Sequence, residues 1–386
     1  MAEYPALVSW HLVLTEHQSE TQRALQSLCS TRMPVRILAR ELAHRTAQGW
    51  SKDLPADLDL KEVSGFGWPA MAWRTLRAYR DRCHIFHAPF GSWRSVVILC
   101  MARMLSVRIY IVSEPYSESA AGLLFTEGQL SGSMRKLLRP WLYGLYGALF
   151  GGVTRGMFAI SPLAVRQFGQ AGFLRSSIFP FGYFVSGPPM SRADPTVRSP
   201  RSDGVVRCAF VGNLLRIKGI AELCRAVSRV NANGVRLELH VYGSGPQAAE
   251  VRGPGIELHG RFPFGTAVSV LRQYQLLVLP SLYDGWGVVV NEAVLAGVPV
   301  VCSEAVGAAG MIRRWRCGKV FAADGGEGLF RVLHEICEDP RVLGDWAANC
   351  GELARIIRPE YAARYMLECV AFAEGNRAEP PACKWY

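Results

Sequence analysis

Ser281, Asp284, Gly285, Gly287 and Glu292 fall within one short stretch, PSLYDGWGVVVNEAVLAGVPVVC, running from Pro280 to Cys302. Two carboxylates can hold hydroxyl groups and steady a developing positive charge, and glycines between them let backbone N–H groups come close to a ligand. The apolar run LLVL (Leu276 to Leu279) before the stretch and VPVVC after it are of strand length, so the order reads strand, turn, helix, strand. The turn then lies between a strand end and the first turn of a helix whose apolar face is Val288, Val289, Ala293 and Leu295. A helix start exposes unpaired N–H groups and a partial positive charge, which suits a phosphate. Glu292 sits about one turn in, on the side that Asp284 also approaches.

This pattern resembles the signature of the family 4 glycosyltransferases, which reads Glu, Gly, Phe, Gly, four residues, Glu, then Ala and Gly before a Pro-Val strand. Asp284 stands at the first acid and Trp286 at the aromatic place, while Glu292, Ala293, Ala296, Gly297, Pro299 and Val300 match as they stand. The bland alternative is a plain βαβ unit with solvated acids. The resemblance implies a nucleotide-sugar site, in which Asp284 holds sugar hydroxyls and Glu292 the ribose.

Upstream, VVRCAFVGN reads as a strand and IAELCRAVSRV as a helix, with LLRIKG between them. In the resembled family this place carries an arginine after the glycine and a Lys-Gly pair, whose cations hold the donor diphosphate. Gly212 is followed here by Asn213, so Arg216 is the nearest substitute, while Lys218 and Gly219 match. LELHVYGSGP is a strand ending in a glycine loop that holds Gly243 and Gly245, and IELHGRFP follows. The resemblance places the base near Gly260, Arg261 and Phe262, held mainly by backbone.

The first half opens with the strand PALVSWHLVL and the polar loop Glu16, His17, Gln18, where the family carries paired glycines beside the acceptor. Polar residues directly after a first strand point to a crevice at strand ends, the other reading being a surface turn. PVRILAR, DLDLKEV, HIFHA and VRIYIVSEPY read as further strands. Glu114 ends the last of these where many family members carry a histidine beside the transferred sugar. A carboxylate there can bond the sugar or accept a proton from the acceptor. Asp57 and Asp59 have the spacing of a metal-binding pair in another glycosyltransferase fold, but lie on a poorly apolar edge. His84 and His87, three apart on a strand, point to opposite faces and make no ligand pair. In GSMRKLLRPWLYGLYGALFGG, Arg135, Lys136 and Arg139 interleave with Trp141, Tyr143 and Tyr146, which suits an anionic membrane surface or, equally, a core helix with a basic outer face.

The 386 residues suggest two domains, and half of them are hydrophobic. The net charge is +11 with most of the excess before residue 200, which favours an anionic partner for the first half. No nucleic-acid-binding module is recognised. Eleven cysteines, without a CxxC pair and mostly in apolar runs, read as buried thiols of a reducing compartment. Glu3, Pro5, His11 and Glu16 interrupt any signal-peptide core, and Arg103 and Arg108 interrupt the most apolar window.

Alternating strands and helices on both sides of a Pro/Ser-rich stretch give two doubly wound, Rossmann-like α/β domains, and the resemblance implies that they face across a cleft, the GT-B arrangement. The expected organisation is an acceptor-side domain over 1–185, a linker over 186–204, a nucleotide-sugar-binding domain over 205–355, a helix crossing back over 356–374 and a disordered tail over 375–386. The resemblance implies retaining transfer of a sugar from a nucleoside diphosphate donor to a hydroxyl of a saccharide or lipid-linked acceptor, in polysaccharide or glycolipid (lipopolysaccharide) biosynthesis. Lys218, Asp284, Glu292 and Glu114 are the catalytic candidates. Neither metal nor cofactor is expected. The expected location is cytoplasmic, peripheral on the inner face of the membrane. A GT-B nucleotide-sugar epimerase and an inactive glycosyltransferase-like binding protein are the alternative readings.

Overall fold

The computed structural model describes residues 4–39, 55–116, 129–187, 204–234, 236–263 and 265–386, with the side chains of 129–136 excepted. The chain divides into two compact units. Unit 1 gathers Met1–Tyr116, Leu138–Ser186 and Arg358–Lys384, and unit 2 gathers Ser117–Leu137, Gly187–Ile357 and Trp385–Tyr386. Nearly all of the expected linker lies outside the described residues.

Unit 1 is built on strands β1 (Leu7–His11), β2 (Pro34–Ile37), β3 (Asp59–Glu62), β4 (Cys83–His87), β5 (Arg108–Ser113), β6 (Thr154–Ile160) and β7 (Ile178–Phe181). They form one sheet in the order β3-β2-β1-β4-β5-β6-β7, with every pairing parallel. Helices α1 (Glu16–Leu28), α2 (Trp68–Ala78), α3 (Trp93–Met104), α4 (Gln129–Phe150) and α5 (Pro162–Gln170) connect them, α4 belonging to this unit from Leu138 onward. β1 and β4 are buried throughout, as strands covered by helices on both faces must be. Trp10, Phe86, Ile98, Leu99, Phe150 and Phe168 belong to its core.

Unit 2 repeats the plan with β8 (Val206–Val211), β9 (Leu237–Tyr242), β10 (Ile256–Gly260), β11 (Leu276–Leu279), β12 (Val300–Ser303) and β13 (Gly318–Phe321). The order is β10-β9-β8-β11-β12-β13, again all parallel. Its helices are α6 (Ile220–Ala232), α7 (Ala267–Leu271), α8 (Val288–Leu295), α9 (Ala309–Trp315), α10 (Glu327–Glu338) and α11 (Val342–Leu353). LLVL and VVCS, apolar on both faces, become the fully buried β11 and β12. In each sheet the strand order reverses beside the first strand, at β1/β4 and at β8/β11. Open α/β sheets bind ligands beyond the carboxyl ends of the strands at such points.

The last helix, α12 (Pro359–Ala373), packs on α1 and β6 of unit 1. At its end Glu374, with 8% of its side chain exposed, accepts from Arg108 and Arg155 and from the Tyr110 hydroxyl at 2.7 Å. The expected disordered tail is corrected by the structure. Arg377 pairs with Glu368 at 3.2 Å, Trp385 is buried, and Arg314 donates to the carbonyl of Tyr386. A bulky indole near the end of a polar tail has apolar area to bury, which offsets the entropy of ordering it.

Candidate functional site

In unit 2 the segment after β8 and the turn after β11 meet at the strand-order reversal. Arg216–Lys218 forms a single 3-10 turn, and Gly219 follows at φ +70° to start α6. A Cβ on Gly219 would lie 2.2 Å from the carbonyl oxygen of Pro280, so only glycine lets the two loops touch. Leu282 N–H donates to the Ile217 carbonyl at 2.8 Å and closes the junction. Lys218 is thereby set beside Asp284, with Nζ 2.6 Å from Oδ2, both side chains mostly but not wholly buried.

Asp284 is fixed through its backbone as well. Its N–H donates to Ala305 and its carbonyl accepts from Gly307, at 3.1 and 3.0 Å, so the small-residue loop after β12 clamps it. Gly287 then takes φ +86° as the N-cap of α8, where a Cβ would meet Val306 Cγ1 at 2.9 Å. The unpaired N–H groups of α8 open beside this turn, and Glu292 lies one turn in, half-buried. Trp286 is 3% exposed and donates its indole N–H to Asn291 at 2.8 Å, which seats the turn in the core. Ser281 is fully buried, and its carbonyl accepts from Ser303.

The other donor-side candidates cluster nearby in the same unit. Gly212 N–H donates to Tyr242 and Leu214 N–H to Ser244, so the Gly243–Gly245 loop is spent on the loop that holds Asn213. Arg216 and Arg261 are exposed, and the Phe262 ring lies 5.4 Å from that of Tyr242.

In unit 1 a pocket of about 190 Å³ opens at the β1/β4 reversal, lined among others by Gln18, His87, Glu114, Tyr143 and Tyr183. Glu16, His17 and Gln18 form the first turn of α1. Thr15 caps that helix, with its N–H donating to Gln18 Oε1 at 3.1 Å. Glu114 accepts a 2.6 Å hydrogen bond from the Tyr183 hydroxyl, and the Tyr183 ring meets His17 edge to face. Beneath the pocket, the His11 and His87 rings stack at 3.9 Å. Burial holds both well below the usual histidine range, His87 at about 3, and the nearby His87 adds to the lowering at His11. Sequence reasoning missed this pair, although both residues end neighbouring strands. His84 points away, accepts from the Trp10 indole at 3.0 Å, and is pushed down to about 4 by burial. Asp57 forms an exposed pair with Arg23 at 2.7 Å, and among the described residues it belongs to no metal-ligand cluster.

These two parallel Rossmann-like units define the fold of the GT-B glycosyltransferases. The Anabaena protein HepE, solved in complex with UDP and glucose, superimposes with a TM-score of 0.65 over 95% of this chain and all of that one, at 13% identity. WaaG, a glycosyltransferase involved in lipopolysaccharide biosynthesis, does so with a TM-score of 0.61 over 94% of this chain and 99% of its own, at 15% identity. Residues 206–339, wholly within unit 2, match the family described as Glycosyl transferases group 1, so this unit carries a domain of that kind. TuaC of Bacillus subtilis, named as a glycosyltransferase of teichuronic acid biosynthesis, is 31% identical over 139 residues, 35% of each chain. The chain thus spans about a third of the length of the curated relatives it matches.

Proposed function

We propose that the chain is a retaining glycosyltransferase that moves a sugar from a nucleoside diphosphate donor to a hydroxyl of a saccharide or lipid-linked acceptor in polysaccharide or glycolipid assembly. The observation that carries this reading is the Lys218–Asp284 pair, held beside the start of α8 at the strand-order reversal of a group 1 domain. Lys218, Arg216 and the α8 N-terminus supply positive charge for the diphosphate, Asp284 holds sugar hydroxyls, and Glu292 holds the ribose. The bond from the anomeric carbon to the diphosphate oxygen breaks as the bond to the acceptor oxygen forms on the same face. The acceptor proton passes to the departing diphosphate oxygen, so the step uses neither metal nor cofactor. Glu114 serves the acceptor side from the pocket of unit 1.

The test is a panel of nucleoside diphosphate sugars, UDP-sugars first because HepE holds UDP. A true donor raises the melting temperature, since it binds only the folded state. Transfer to a saccharide acceptor then persists in excess EDTA. A panel without any stabilising donor, or product of inverted configuration, overturns the reading.

Attachment to a lipid surface belongs to the same proposal and rests on α4. Its outer face exposes Leu138, Trp141, Leu142 and Leu145, while Tyr143 and Tyr146 turn inward to pack on Phe90. Arg139 is half-exposed between them, and the side chains of Arg135 and Lys136 lie outside the described residues. Among the described residues no helix is long and apolar enough to cross a membrane. Cations near an anionic surface contribute about 1 kcal/mol each, and the apolar face adds burial in the interface. Binding to phosphatidylglycerol vesicles is expected at low salt and is expected to fall in Trp141→Ser.

A further inference from the structure

His240, Glu257 and His259 place their ligand atoms within 4.8 Å of one another on the open edge of the unit 2 sheet. His240 lies on β9 directly opposite Glu257 on the edge strand β10, and residues two apart on a strand share a face. The ladder slips between Leu258 and Gly260, leaving His259 as the extra residue of a bulge. Such a bulge re-aims a side chain, and here it brings His259 Nε2 to 2.8 Å from His240 Nδ1. Glu257 Oε2 lies 3.6 Å from each of these nitrogens.

We propose that this triad is a binding site for a borderline divalent cation, Zn²⁺ above all, with two imidazole nitrogens and one carboxylate oxygen as ligands and water in the fourth position. With bonds of about 2.0 to 2.1 Å, a tetrahedral zinc ion sets its ligand atoms about 3.3 Å apart. The three observed separations straddle that value, so a cation needs only a small parting of the two rings. A donor set of nitrogen and carboxylate suits zinc better than magnesium or calcium, which prefer all-oxygen shells. The side chains of His240, His259 and Glu257 are 18%, 26% and 65% exposed, which leaves room for the water and a path for the ion. Behind them the Tyr242 ring stacks on His259 at 4.7 Å and Tyr274 lies against His240 at 5.0 Å, limiting how far either imidazole can turn. The ion would fasten the edge strand to its neighbour. None of these residues is assigned to the transfer chemistry.

The test uses the full chain, stripped with chelator, kept reduced and titrated with Zn²⁺ and then with Co²⁺. One equivalent of zinc is expected by calorimetry, together with a higher melting temperature. Co²⁺ is expected to give visible ligand-field bands without the near-ultraviolet band of a cobalt–thiolate bond. His259→Asn should weaken zinc binding by at least about a hundredfold and Glu257→Gln by about tenfold, with the circular dichroism of the metal-free proteins unchanged. Should His240→Asn fail to fold, those two variants carry the test. Absence of zinc binding, a thiolate band with cobalt, or undiminished binding in His259→Asn overturns the site.

Discussion

Units 1 and 2 share a strand order, yet their reversal points are furnished in opposite ways. Unit 2 places a cation and an acid, Lys218 and Asp284, in a partly exposed pair beside a helix start. Unit 1 buries two neutral imidazoles, His11 and His87, under a pocket whose charged group, Glu114, stays at the rim. On the proposed function the same backbone plan holds a polyanion in unit 2 and a hydroxyl compound in unit 1, because function lives in the side chains at the strand ends.

The sharpest way to break this contrast is Lys218→Ala. On the proposed function it removes the cation that faces the diphosphate, and it leaves a mostly buried carboxylate without that partner. A fall in kcat/KM of about two to three orders of magnitude is expected, as for other losses of an electrostatic donor. Steady-state kinetics with saturating acceptor would show it. Asp284→Asn keeps the shape of the pair and, on the proposed function, removes charge next to the cationic sugar, so kcat should drop by roughly ten- to a hundredfold. The double variant Lys218→Ala/Asp284→Asn should lose much less than the sum, because two residues in contact are coupled. Full additivity would show that the 2.6 Å contact plays no part in the active enzyme.

Unit 1 can be probed by pH. His11, His84 and His87 all have folded-state values below the ordinary 6.5, His84 at about 4 and His87 at about 3. Below that ordinary value the unfolded chain binds protons that the folded chain refuses. Their contribution is therefore complete above pH 6.5 and is lost as pH falls toward 4 and then 3. His84 and His87 each account for on the order of 1.4 kcal/mol per pH unit in that window, and His11 acts in the same direction. Hydrogen exchange at pH 5 and pH 7 should show unit 1 opening before unit 2 at the lower value, and His87→Gln should flatten the trend. The smallest effect is expected at the rim. Glu114→Gln keeps the bond from Tyr183 and loses only charge, so the acceptor KM should rise by about two- to fivefold, within the worth of one hydrogen bond. An equal fall in kcat with unchanged KM would move Glu114 from the acceptor to the reacting carbon.

The sequence was legible where chemistry and backbone demand coincide. Gly219 and Gly287 are readable as glycines at helix starts, and LLVL and VPVVC as strands, so the turn between β11 and α8 could be placed from residue types alone. The Lys218–Asp284 contact was not, since it joins two loops 66 positions apart and depends on Gly219 touching Pro280. The His11–His87 stack was hidden for a like reason, because both look like ordinary members of apolar strands until β1 and β4 are paired. Helix α4 shows the opposite limit. Its aromatic residues share one stretch of sequence, but only packing separates the exposed Trp141 from the inward Tyr143 and Tyr146. The tail was misread because its polar composition outweighed the single indole that anchors it.

The clasp at Glu374 bears on the order in which the molecule is made. Arg108, Tyr110 and Arg155 emerge from the ribosome long before the helix that answers them, since 264 positions separate Tyr110 from Glu374. All of unit 2 up to Ile357 is synthesised in that interval. Unit 1 therefore begins first yet stays without its last helix until nearly the whole chain is made, and until α12 arrives Arg108, Arg155 and the surfaces of α1 and β6 that it packs on lack their cover. A nascent chain stalled before Arg358 should hold a unit 2 complete but for Trp385 and Tyr386 and a unit 1 still open, the state in which chaperones and proteases would find it most accessible.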